Sequence, residues 1–311
     1  MTPPRVGISS CLLGDNVRWD GGHKRDVWLK DALGPHVEWV PVCPELEVGM
    51  GVPREAVHLA GAPANPRLVG VDSGDDWTAR MESYSSKRVR QLEVMDLSGY
   101  VLKKNSPSCG MERVKVWRPS GQPTKDGVGA FAAVLMERLP LLPVEEEGRL
   151  EDAPLRELFV ERVFAHRRWR DLAAAPFRAR DLVDFHARHK LQLLAHSPDH
   201  YRRLGPLVAR AKAAVRDDYG RLFLEGLSQK ATRGRQVNVL QHMAGYFKEG
   251  LTSEERRGIE EAIADYRARE VALEVPVRLI RQGARRLKVA YLLQQTYFDP
   301  VPAGLKLRNH V

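Results

Sequence analysis

Arg5-Val6-Gly7-Ile8-Ser9 runs straight into Ser10-Cys11-Leu12-Leu13-Gly14. The first five residues form a short apolar run of the length and composition of a buried strand, and the next five are turn formers and small apolar residues around a thiol. Four more runs of the same kind follow, at residues 38–42, 67–71, 100–103 and 114–117. Residues 77–95 are long and charged enough for an amphipathic helix, and residues 128–138 read as a more buried one. This alternation predicts an α/β domain with a Rossmann-like, mostly parallel sheet, which binds its ligands beyond the carboxyl ends of the strands.

After residue 143 the pattern changes. Helical stretches at residues 155–173, 180–196, 204–219, 235–248, 254–270 and 276–294 are separated by Pro and Gly, with Ser253 placed to cap the fifth and an irregular tail over 298–311. The expected layout is therefore an α/β domain over 1–143, a linker over 144–152 containing the acidic Glu145-Glu146-Glu147-Gly148, and an all-α helical domain over 153–311. A length of 311 residues suits two domains. With 43% hydrophobic and 29% charged residues, the composition excludes wholesale disorder and collagen-like architectures. No apolar run approaches the roughly 20 residues of a membrane span, and the start Met1-Thr2-Pro3-Pro4-Arg5 lacks a signal-peptide layout. A cytoplasmic protein without a membrane partner is expected.

The net charge of +9 is unevenly spread. Residues 1–143 carry 18 Lys and Arg against 17 Asp and Glu, whereas residues 144–311 carry 31 against 23. A basic excess confined to one half matches either a nucleic-acid footprint or solubilising charge on helices. Candidate RNA contacts include Arg167, Arg168, Arg170, Arg178, Arg180, Arg233, Arg235, Arg278, Arg281, Arg285, Arg286 and Lys288.

Three cysteines, an odd number, argue against a disulfide framework and for a reducing compartment. Cys11, Cys43 and Cys109 form no CxxC pair, but each follows a predicted strand and sits among turn formers. Three strand ends of a parallel sheet can deliver three thiolates to one place. Three thiolates on a 4Fe-4S cluster leave one iron open as a Lewis acid, and a three-thiolate zinc site with an open fourth position is the competing reading. Glu45, set by Pro44 two residues after Cys43, is the candidate general acid/base; Ser106 and Ser108, flanking Pro107, are candidate hydrogen-bond donors. Arg18, Asp20, His23 and Lys24 follow the first cysteine around a Gly pair that lets backbone approach a ligand. His186 and His189, at i, i+3 near Asp184, and His196 fall short of a metal motif and read as packing, capping or RNA-contact residues.

Gly7-Ile8-Ser9-Ser10-Cys11-Leu12-Leu13-Gly14, Val17-Arg18-Trp19-Asp20-Gly21-Gly22-His23-Lys24, Val42-Cys43-Pro44-Glu45 and Lys103-Lys104-Asn105-Ser106-Pro107-Ser108-Cys109-Gly110 together resemble the thiouracil desulfidase (TudS) family. The second half resembles the YbgA-like helical domain often fused to it, through Leu182-Val183-Asp184-Phe185-His186-Ala187-Arg188-His189-Lys190 and Ala195-His196-Ser197. The two-domain form is similar to the RudS-type desulfidases, which remove sulfur from 4-thiouridine in tRNA. The resemblance implies a 4Fe-4S cluster on Cys11, Cys43 and Cys109 with one open iron. On such a cluster the expected mechanism is catalysis by Glu45 with Ser106 or Ser108, with substrate contacts expected from Arg18, Asp20, His23, Lys24 and Asn105. Trp19 stands where the family more usually has Tyr. The expected substrate is tRNA containing 4-thiouridine, with no DNA partner. Alternatives are desulfidation of free thiouracil or of thiouridine nucleosides and nucleotides, or a non-catalytic RNA-binding protein holding a cluster or a metal.

Overall fold

β1 (Arg5–Ser9) lies inside a four-stranded sheet of the computed structural model, which describes residues 2–310. The chain divides into two units, residues 1–155 and 156–311. In the first, β1 is followed by β2 (Glu38–Val42), the short helix α1 (Pro44–Glu47), β3 (Val57–Ala62) and β4 (Asn65–Gly70). Then come α2 (Thr78–Val94), β5 (Leu97–Leu102), β6 (Val114–Trp117), β7 (Pro123–Gly127), α3 (Ala130–Arg138) and β8 (Val144–Glu146). The first sheet has the order β2-β1-β5-β8, and every pair in it is parallel. Its two inner strands are buried almost throughout, with only Arg5 exposed, which is why they read as continuous apolar runs.

The five expected strands do not form one sheet. β4 and β6 belong to a second sheet, β4-β3-β6-β7, built from two antiparallel hairpins joined by a parallel β3–β6 pair. The cause is connection length: β3 reaches β4 through Pro63-Ala64 alone, and β6 reaches β7 through a turn at Gly121, far short of a parallel crossover. β3, rich in Ala and Gly, and β7, nearly all polar, lack a strand signature.

Residues 144–152 are not a linker. Val144–Glu146 is the fourth strand of the parallel sheet, pairing Tyr100 with Val144 and Leu102 with Glu146. The acidic run read as linker is buried because each carboxylate has a partner. Glu145 accepts from Arg149 at 2.6 Å, Glu146 from the Met111 amide at 2.7 Å, and Glu147 from Lys103 Nζ and the Lys104 amide.

The second unit takes up α4 (Ala153–Ala174) from Arg156 onward, then α5 (Ala179–His196), α6 (Pro198–Ala209), α7 (Arg216–Ser228), α8 (Arg233–Ala244), α9 (Ser253–Ala268), α10 (Glu274–Arg286) and α11 (Ala290–Leu293). The helix expected over 204–219 is broken at residues 210–215 into α6 and α7. The cap of α9 is Thr252, in a capping box with Glu255, one residue before the expected Ser253. Two short 3-10 turns fall in the tail, where buried Arg308 pairs with Glu157 at 3.2 Å and Glu161 at 3.7 Å.

Many of the cations read as an RNA surface are engaged within the fold. Arg168 is half-buried and donates to the Asp299 and Pro300 carbonyls, Arg235 to the His196 carbonyl, and Arg233 to the Tyr266 carbonyl. Arg167 pairs with Asp171, Arg178 and Arg180 with Asp181, Arg278 with Glu274, Arg281 with Asp299, and Arg286 with Glu255. Among the described residues no helix is long and apolar enough to cross a membrane.

Candidate active site at the carboxyl edge of the parallel sheet

From β1 the chain passes to β2 on one side, and β5 pairs on the other, so the strand order reverses at β1. In open α/β sheets this is where a crevice forms outside the carboxyl ends. Cys11 lies in the 3-10 turn directly after β1, Cys43 directly after β2 as the cap of α1, and Cys109 in the loop that follows β5. One cavity of about 400 Å³ takes all three into its wall, with Glu45, Ser106, Arg18, Lys24 and Asn105 of the expected site residues. Asp20, His23 and Ser108 are not in that wall. Asp20 instead accepts from Arg18 and from the Gly22 amide, which hold its carboxyl below the usual range, and His23 Nδ1 accepts from the Arg25 amide at 3.1 Å.

Each thiol is placed by local chemistry. Asn105, with φ of 60°, turns the chain beyond β5, in a left-handed conformation that Asn tolerates. Ser106 Oγ then accepts from the amides of Ser108 at 3.2 Å and Cys109 at 3.0 Å, folding the loop back on itself. The start of α3 completes it: the amides of Ala130 and Phe131 donate to the carbonyls of Pro107 and Ser108, both at 2.9 Å, so the loop satisfies donors that a helix N-terminus leaves open. Ser9 Oγ accepts from the Lys103 amide at 3.0 Å, and its hydroxyl works against the rise in the Cys109 thiol pKa. On the other side Pro44 occupies the first turn of α1, and Glu47 reaches back to the Cys43 amide at 3.0 Å, which sets the direction of Glu45.

Glu45 lines the cavity with one carboxylate oxygen 3.5 Å from Ser106 Oγ and the other 2.5 Å from Arg54 Nη2. Arg54, Lys103 and Lys104 belong to the same wall and were missed in the sequence. Lys103 is neutralised by Glu147, a residue read as linker. Ser106 thus serves the loop and faces Glu45, whereas Ser108 is fully buried with a hydroxyl that has no protein partner.

Burial raises all three thiol pKa values, that of Cys11 to about 11 with Cys43 as the next cause and Lys103 and Arg18 opposing; mutual repulsion also raises Cys109. Thiols so close and so poorly solvated ionise together only when a cation replaces their protons. Among the described residues no three His, Cys, Asp or Glu side chains converge on a single-ion position. Three thiolates could serve a zinc ion with an open fourth position or three irons of a four-iron cluster, which spreads its ligands over a larger body. Ser10 Oγ, in the cavity wall beside Cys11, is a buried hydroxyl without a protein partner and would be free to donate to cluster sulfur. The donor set fits a 4Fe-4S cluster.

Two family models match the chain, 2-thiouracil desulfurase over residues 6–147 and a protein of unknown function, DUF1722, over residues 190–302. The chain is 36% identical to uncharacterized protein YbgA of Escherichia coli (strain K12) over 133 residues, covering 41% of this chain and 79% of that protein. It is 31% identical to uncharacterized protein YbbK of Bacillus subtilis (strain 168) over 135 residues, 42% of this chain and 88% of that protein. A solved structure, the 4Fe-4S-dependent thiouracil desulfidase TudS, matches at 30% identity with a TM-score of 0.41, over 48% of this chain and 94% of that one. With its three thiols in one cavity at the strand ends, the chain belongs to the 2-thiouracil desulfurase family and carries a DUF1722 domain in its second half.

Proposed function

We propose that the chain is an iron-sulfur-dependent desulfidase that replaces the sulfur of 4-thiouridine in tRNA with oxygen, giving uridine and sulfide. The observation that carries this reading is the meeting of Cys11, Cys43 and Cys109 with Glu45 and Ser106 in a single cavity of about 400 Å³. Held by the three thiolates, a 4Fe-4S cluster would offer an iron without a protein ligand, a Lewis acid for the thiocarbonyl sulfur.

The chain's own residues do the rest. Glu45 takes a proton from the water that attacks C4 of the base, and that oxygen becomes the new carbonyl as the carbon–sulfur bond breaks. That proton and the second one, shed by the attacking oxygen as it becomes the carbonyl, both leave on the sulfur, so one water enters, one hydrogen sulfide departs, and no electrons are needed. Ser106, 3.5 Å from Glu45, holds the water or the base oxygen. Trp19, about half exposed in the cavity wall, offers a ring on which the base stacks. Arg18 and Lys24 bring positive charge to the same wall for the nucleotide backbone.

The first test is iron, zinc and acid-labile sulfide content after anaerobic reconstitution, with sulfide release from thiolated tRNA. Four irons per chain, lost on replacing any one of the three cysteines, are expected. Glu45→Gln should keep the cluster spectrum and lose turnover. Stoichiometric zinc in place of iron would refute the reading.

A second reading is the free thiopyrimidine base or nucleoside as main substrate. The intramolecular partners of so many second-half arginines favour it. Competition between thiolated tRNA and 4-thiouridine separates the two.

A further inference from the structure

The geometry points to Arg54 as a positioning residue that fixes the Glu45 carboxylate in its working orientation and ties the 17–24 loop to it. This rests on the reading of Glu45 as the acid/base group. The Arg54 side chain is only 5% exposed, yet it belongs to the cavity wall. Its Nη2 donates to Glu45 Oε2 at 2.5 Å, leaving Oε1 toward Ser106. Its Nη1 donates to the carbonyls of Val17 at 3.0 Å and Gly51 at 2.8 Å. Its backbone amide donates to the Trp19 carbonyl at 3.0 Å, and the Cys43 sulfur lies 3.7 Å from the same Val17 carbonyl.

One residue therefore joins the carboxylate, the loop bearing Arg18, Trp19 and Lys24, and the turn after Cys43. A planar guanidinium so engaged cannot rotate without stranding buried donors. Lysine, a single point charge, reaches Glu45 or the carbonyls but not both in that fork. Ångström-scale drift of a reacting group costs about a hundredfold in rate without changing how tightly substrate binds.

The test compares Arg54→Met and Arg54→Lys with the unmodified chain, each reconstituted and assayed for iron, for kcat and KM with 4-thiouridine, and by crystal structure. Arg54→Met should keep four irons and a KM within about twofold, lose kcat on the order of a hundredfold, and show Glu45 turned away from Ser106. Arg54→Lys should recover part of kcat. In a Glu45→Gln background, Arg54→Met should lower the residual single-turnover rate no further. Unchanged kcat, loss of iron with a raised KM, or an independent second loss in that background would each overturn the proposal. If the unmodified, cluster-loaded chain releases no sulfide, the functional reading fails instead. Arg54 is then judged on the crystal structure alone, where an unmoved Glu45 carboxylate overturns it.

Discussion

His189 is enclosed by aromatic rings, stacked on Phe185 with centroids 4.1 Å apart and edge-on to Phe223, and its Nδ1 donates to the Phe185 carbonyl at 2.7 Å. Burial, with Arg168, Arg188 and His186 also opposing charge, lowers its pKa to about 3; burial and Lys190 lower that of His186 to about 4. In the unfolded chain both titrate near 6.5. Below that pH the unfolded chain binds protons the folded one refuses, so folding weakens by about 1.4 kcal/mol per unit for each group. His196 and Glu161, 3.4 Å apart, oppose this. Burial is the largest single influence and works against both charges, but the partners together overcome it, with Arg308 and Gln192 joining His196 around Glu161 and the Gln229 carbonyl joining Glu161 at His196, so the pKa of His196 rises and that of Glu161 falls to about 2. The His196 contribution is complete below 6.5 and fades as pH rises through its raised value, and that of Glu161 is lost only as pH falls from about 4.5 toward 2. Between pH 7.5 and 5.0, His189→Phe should remove about 2 kcal/mol of the destabilisation on acidification, read from urea unfolding at the two pH values. An unchanged pH difference would mean that His189 is protonated in the fold. At this scale the cysteines and Glu45 were legible, because a thiol among turn formers after a strand is an unusual pattern. Arg54 and Ser9 were not: an arginine in a loop and a serine ending a strand look the same in sequence whether or not they close on a site.

The Cys109 loop and α3 are one device, since the helix donors and the loop acceptors satisfy each other. Gly129 makes the approach possible. A Cβ there would lie 2.6 Å from the Ser108 carbonyl and 2.7 Å from the Gly110 amide, both backbone atoms that cannot swing aside. Gly129→Ala should therefore cost roughly 1–3 kcal/mol in unfolding and push the Cys109 loop outward. Reconstituted protein should hold less iron at a given dilution than the unmodified chain; full iron retention with unchanged stability would show that the loop yields freely. This coupling is invisible in sequence, where Gly129 lies 20 residues from Cys109 and looks like an ordinary helix start. The strands flanking the site were legible for the opposite reason: β1, β2 and β6 have the bounds read from their apolar runs. β3, β7 and β8 were missed because their pairing comes from neighbours rather than from their own composition.

The basic excess of the second half survives at the scale of the whole molecule even though many of its arginines have intramolecular partners. An exposed pair such as Arg278–Glu274 is worth little against solvent, so a phosphate can exchange for the carboxylate. What pairing removes is the entropic gain of freeing an unattached cation, and what remains is a diffuse positive field that concentrates a polyanion near the chain. On the proposal that tRNA is the substrate, its binding through such a field would release counterions, and neutralising about four phosphates would give a log–log salt slope near −3. Turnover of thiolated tRNA at sub-saturating concentration should fall along such a slope between 50 and 300 mM salt, about two hundredfold, while turnover of free 4-thiouridine stays within about twofold. Equal, shallow slopes for the two substrates would make the base alone the recognised unit and would leave the second half no electrostatic part in substrate capture.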